Sequence, residues 1–78
     1  MNQKEITEKV TELVAVVLET EQEKCQPAVL LKDLGATEFD MVELVMKLED
    51  QFNVLIDDAD MVQLDTIQAV VHYLGDKR

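Results

Sequence analysis

The amino-acid sequence predicts an all-α fold: a small helical bundle of three main helices plus one short helix, with a long loop after the first helix. Two observations carry this reading. Three segments repeat apolar residues at spacings of three and four, the period of a helix with one buried face. No segment alternates apolar and polar residues as a half-buried strand does, and no hairpin dipeptide is present.

The first helix is predicted over residues 3–19. Ile6, Val10, Leu13, Val14, Val17 and Leu18 form its apolar face, and Glu5, Glu8, Lys9, Glu12 and Glu19 take the other. Glu5 and Lys9 stand four apart in the order that favours a helical ion pair. Over residues 20–36 the periodicity fails. Gln26-Pro27 disfavours helix at the residue before the proline, and Gly35 supplies a turn. A connection of this length is usually functional or pinned down, and Val29, Leu30, Leu31 and Leu34 are its expected pins.

The second helix is predicted over residues 38–52. Thr37 can cap it, and Asp40, three residues on, completes a shortened capping box. Phe39, Val42, Val45, Met46, Leu48 and Phe52 are its expected apolar stripe, with Asp40, Glu43, Glu49 and Asp50 outside it. Residues 57–62 read as one short helical turn, acidic at its positive dipole end. A last helix is expected over residues 66–74. Asp65 is its predicted cap, Ile67, Val70, Val71 and Leu74 its inner face, and Gly75 its end.

Length bounds the architecture further: 78 residues fit one domain, 1–78, with a thin core, since so short a chain buries only about 60% of its unfolded surface. Seventeen acidic residues against seven basic ones give a net charge of −10. Such a charge repels phosphate backbones and anionic lipid, so the partners expected are basic protein surfaces, not nucleic acid and not a membrane. A single cysteine, Cys25, excludes an internal disulfide, and a single histidine, His72, leaves no His/Cys metal cluster. The longest apolar run, residues 13–18, is far shorter than the ~20 residues of a spanning helix. No signal-like apolar stretch opens the chain, and a cytoplasmic monomer is the expectation.

Residues 33–46 read Asp33-Leu34-Gly35-Ala36-Thr37-Glu38-Phe39-Asp40-Met41-Val42-Glu43-Leu44-Val45-Met46. This run resembles the central motif of acyl carrier proteins, where Asp-Leu-Gly-Ala is followed by Asp-Ser-Leu-Asp and then by a helix reading Val-Glu-Leu-Val-Met. The likeness continues through residues 48–52, through Ile56-Asp57-Asp58 and through residues 66–70, and so covers essentially the whole chain. It implies the acyl-carrier-protein fold and a place beside the enzymes of fatty-acid or polyketide-type biosynthesis.

At one place the resemblance breaks. Thr37, Glu38 and Phe39 stand where the family has aspartate, serine and leucine. In the family that serine receives a 4′-phosphopantetheine arm, so the resemblance puts Glu38 at the cofactor position. A carboxylate has no hydroxyl oxygen for a stable phosphodiester, and the chain contains no serine at all. No cofactor is therefore expected on the sequence as it stands. A glutamate in the first helical turn still suits the helix dipole, so the substitution removes chemistry and keeps the helix start.

The implied function is that of a non-enzymatic, non-carrying partner of carrier-dependent enzymes. Three alternatives stay open: a true carrier with an engineered Ser-to-Glu change at 38, a carrier modified at Thr37 or Cys25, and a non-covalent lipid-binding protein. In carriers, acidic residues of the second and short helices dock on basic partner patches. The resemblance thus implies a partner surface of Asp40, Met41, Val42, Glu43, Met46, Glu49, Asp50, Ile56, Asp57 and Asp58, with charges steering approach around an apolar centre. Residues 57–65 carry four acids but lack the glycine an EF-hand loop requires, and no metal site is expected. His72, at the end of the last helix, has no second ligand or nucleophile near it in sequence and reads as structural.

Overall fold

In a computed structural model describing residues 2–77, three α-helices form the bundle: α1 (Gln3–Val17), α2 (Glu38–Phe52) and α3 (Ile67–Lys77). A six-residue 3-10 helix, Asp58–Gln63, stands between α2 and α3, and two 3-10 turns, Gln22–Lys24 and Leu31–Leu34, lie in the long first connection. α1 packs against both other α-helices. Val10, Val14, Leu48, Phe52, Ile67, Val70 and Leu74 are almost completely shielded, and no polar or charged residue is buried among the described residues. The buried core is apolar, as the one-sided helical faces of the sequence require.

α1 starts where expected because Asn2 makes a complete capping box, its side chain accepting from Glu5 N–H while the Glu5 carboxylate accepts from Asn2 N–H. Glu5 is thereby committed to the helix start. The helix ends two residues before the predicted boundary. Glu19 turns left-handed at φ 52°, Glu19 N–H bonds to the Val16 carbonyl, and Thr20 N–H bonds to the Ala15 carbonyl. This is a Schellman closure made without glycine, which left no sequence signal for it.

The long connection is tied to the start of α3 by its own backbone. Leu30 and Thr66 form an antiparallel bridge. Leu31 N–H donates to the Asp65 carbonyl at 2.8 Å, and Gln68 N–H donates to the Pro27 carbonyl at 3.0 Å. Of the four expected pins only Leu31 is buried; Leu34 packs at the edge of the core, and Val29 and Leu30 are half-buried. Cys25, not among the pins expected from sequence, is the second true one at 3% exposure. Burial raises its pKa.

The start of α3 corrects two expectations. Thr66, not Asp65, caps the helix, its hydroxyl oxygen accepting from Ala69 N–H at 3.0 Å. Asp65 instead lends its carbonyl to Leu31. The helix also runs through Gly75 to Lys77, because glycine ends a helix only where its φ turns positive, as it does at Gly35 and not at Gly75.

Candidate functional site

The start of α2 is built in three steps. The 3-10 turn Leu31–Leu34 closes on Gly35, whose φ of 92° only glycine adopts without strain. Ala36 N–H bonds back to the Leu31 carbonyl, and the chain reaches Thr37 extended. Thr37 and Asp40 then form the predicted box: Thr37 Oγ1 accepts from Asp40 N–H at 3.2 Å, and Asp40 Oδ2 accepts from Thr37 N–H at 2.9 Å.

Glu38 is the first helical residue and is exposed. Its carboxylate accepts no hydrogen bond from the described residues. Among the described residues it has no partner, and it stands at the positive end of the helix dipole.

The apolar stripe predicted for α2 separates into two faces. Leu44, Val45, Leu48 and Phe52 are buried and Met41 is partly so, whereas Phe39 is 88% exposed, Met46 63% and Val42 50%. At about 100° per residue, positions 39, 42 and 46 fall within about 60° of arc, turned away from the core face. Both faces are apolar, so a pattern search merges them. Phe39, Val42 and Met46 are thus surface residues and not core.

Around this outer face, Glu43 and Asp50 are exposed and Lys47 is half-buried. Asp40 and Glu49 have structural partners. Glu49 Oε2 accepts from Ile56 N–H at 2.9 Å, holding the chain as it leaves α2. Ile56, expected at the contact centre, is only 7% exposed and presents almost no surface. Leu55 beside it is exposed instead, a residue the sequence pattern did not single out. Asp57 and Asp58 are exposed, as expected for a charged surface.

Beneath the start of α2 lies a cavity of about 280 Å³ lined by Leu30, Leu31, Lys32, Ala36, Met41, Met61, Leu64 and Asp65. A second, wider groove of about 630 Å³ lies at the other end of the bundle, where Gln3, Asn53, His72 and Lys77 line it. The length of α2, roughly 20 Å, lies between Glu38 and that groove. Among the described residues no three of His, Cys, Asp and Glu converge as metal ligands, and no helix is long and apolar enough to cross a membrane.

With this geometry in view, comparison with known proteins is specific. A family model described as phosphopantetheine attachment site matches residues 8–74. The acyl carrier protein of Thermosynechococcus vestitus is 44% identical over 99% of this chain and 96% of its own length. The solved structure of the acyl carrier protein from Enterococcus faecalis superposes with a TM-score of 0.84, at 28% identity and over the full length of both chains. The likeness is one of sequence, of helix order and of fold, and the chain belongs to the acyl carrier protein family.

Proposed function

We propose that this chain is a non-carrying member of its family, a cytoplasmic, non-catalytic partner of carrier-dependent biosynthetic enzymes that exists only without the 4′-phosphopantetheine arm. The observation that supports the reading is Glu38, exposed at the first helical position of α2, where the resemblance of residues 33–46 to the family's motif puts the attachment serine. The side chains at hand do not fit the arm. A carboxylate forms no stable phosphodiester, the Thr37 hydroxyl oxygen is engaged as the cap of α2, and the Cys25 thiol is buried with its pKa raised.

Partner contact is assigned to the outer face of α2. Phe39, Val42 and Met46 give it an apolar centre, and Glu43 and Asp50 give it charge. Asp57 and Asp58 extend the acidic rim. The function test is intact mass after incubation with coenzyme A and a broad-specificity phosphopantetheinyl transferase, with Glu38→Ser in parallel. The expected result is an unmodified native chain and a serine variant carrying the arm. An arm on the native chain overturns the reading, and peptide mapping then turns to Thr37 and Cys25.

The cavity under α2 favours one second reading, non-covalent binding of a short acyl chain. Its volume lies just under the ~300 Å³ at which ligand pockets begin, and Leu30, Leu31, Ala36, Met41, Met61 and Leu64 supply apolar walls. Saturable binding of a medium-chain fatty acid at micromolar concentration supports this reading, and absence of binding removes it.

A further inference from the structure

We infer that the Glu38 carboxylate is a permanent stand-in for the phosphodiester of a loaded carrier, so that the chain docks on basic, phosphate-reading enzyme surfaces as a loaded carrier does. This deepens the function proposed above and rests on its placing of Glu38 at the attachment position.

Covalent reach supports the substitution. In a serine that bears the arm, phosphorus is three bonds from Cα, through Cβ and Oγ. In Glu38 the carboxylate carbon is also three bonds from Cα, through Cβ and Cγ. Both groups then offer two outward oxygens to a guanidinium or ammonium donor, the geometry that arginine reads in bidentate fashion. Charge matches as well. A phosphodiester bears one negative charge, as does a glutamate near neutral pH. A phosphomonoester, at about −1.5 to −2, is the poorer match for glutamate.

The structure fixes the backbone that carries this group. Both bonds of the Thr37–Asp40 box fix the backbone on either side of Glu38, while its own carboxylate accepts nothing from the described residues. Immediately beside it Phe39 is 88% exposed and leads into Val42 and Met46. Residues 38–52 carry five acids against Lys47 alone. A free charge at the edge of an apolar patch, within a strongly acidic helix, is complementary to one kind of occupant: a basic protein surface with an apolar floor.

The test is inhibition of a purified carrier-dependent condensing enzyme, turning over its own loaded carrier, by the added chain. Glu38→Gln keeps length and shape and removes only the charge. It is expected to weaken inhibition about tenfold at low salt, and to flatten the salt dependence. Glu38→Ser is expected to weaken it similarly when unloaded and to regain wild-type inhibition once it carries the arm. Thermal melts accompany each variant, since an exposed site of this kind leaves the fold intact. Equal inhibition by wild type and Glu38→Gln overturns the inference. Glu43→Lys separates the two layers: weakening there with none at Glu38→Gln leaves α2 docking in place and removes the phosphodiester stand-in. No inhibition by the wild-type chain at any concentration removes both.

Discussion

The Tyr73 hydroxyl donates a 2.7 Å hydrogen bond to Asp60 Oδ2, joining α3 to the 3-10 helix Asp58–Gln63. That bond, with burial and the charges of Asp60, Asp57 and Glu49, pushes the phenol pKa up to about 12. Lys77 Nζ lies 5.4 Å from the centroid of the same ring. A raised folded-state pKa means that stability from this contact is full below the ordinary tyrosine value of about 10 and is lost as pH rises through about 12. Tyr73 is the single tyrosine of the chain, so ultraviolet titration reads it directly. Asp60→Asn is expected to bring ionisation back toward about 10, and Tyr73→Phe to lose about 1 kcal/mol in denaturant melts at neutral pH.

Thr66 and Asp65 differ in what they give to α3. Thr66→Ala removes the cap on Ala69 N–H and is expected to cost about 1 kcal/mol. Asp65 contributes a backbone carbonyl to Leu31, which alanine supplies equally well. Asp65→Ala is therefore expected to stay within about 0.5 kcal/mol of wild type in the same urea unfolding series.

Glu19 adopts the left-handed conformation at φ 52° with a side chain that disfavours it. Glu19→Gly relieves that strain and is expected to stabilise the chain by up to about 1 kcal/mol, visible as a higher melting temperature. Gly35→Ala is the mirror experiment. Open space surrounds the added methyl, so a loss of about 1 kcal/mol there measures backbone strain alone.

Glu49 holds Ile56 N–H from within the acidic run. Glu49→Ala is expected to cost about 1–2 kcal/mol, and Glu49→Gln less, because an amide oxygen still accepts. Charge reversal at Glu49 therefore mixes docking with folding, whereas Glu43 is exposed and reports on docking. Equal melts for Glu49→Ala and wild type overturn the structural role.

Phe39 and Phe52 stand at opposite ends and on opposite faces of α2. Phe52→Ala opens the core and is expected to cost about 3–5 kcal/mol. Phe39→Ala is expected to leave stability within about 0.5 kcal/mol of wild type, while weakening any partner that binds the outer face. A large stability loss at Phe39 places it in the core after all.

How much of this was legible in the sequence follows the physics of each signal. The span of α2 and its Thr37–Asp40 box were readable because both are local: cap, spacing and periodicity lie within a few residues. The grouping of Phe39, Val42 and Met46 in one stripe with the core residues of α2 has a different origin. Periodicity shows that residues share a face, but two apolar faces on one helix leave the choice of inner face to tertiary packing. The burial of Cys25 depends on contacts across the chain, which no local pattern encodes, whereas the cap of α3 is local but falls between two adjacent capping residues, Asp65 and Thr66, that sequence alone does not separate. Glu38 was conspicuous for the opposite reason, as the centre of a three-residue exchange, Thr37-Glu38-Phe39, inside a motif that otherwise fits on both sides.

The backbone bonds between the first connection and the start of α3 also shape what substitution can do. Leu31 N–H to Asp65 and Gln68 N–H to Pro27 use main-chain atoms on both sides, so they survive side-chain replacement at all four positions, short of a proline at 31 or 68. Between Leu31 and Asp65 the chain forms a closed noose that carries the whole of α2. Closing such a noose is costly in entropy once and cheap thereafter. The helix on it is therefore held at its base by atoms that sequence drift barely touches, which leaves its outer surface free to exchange one chemistry for another.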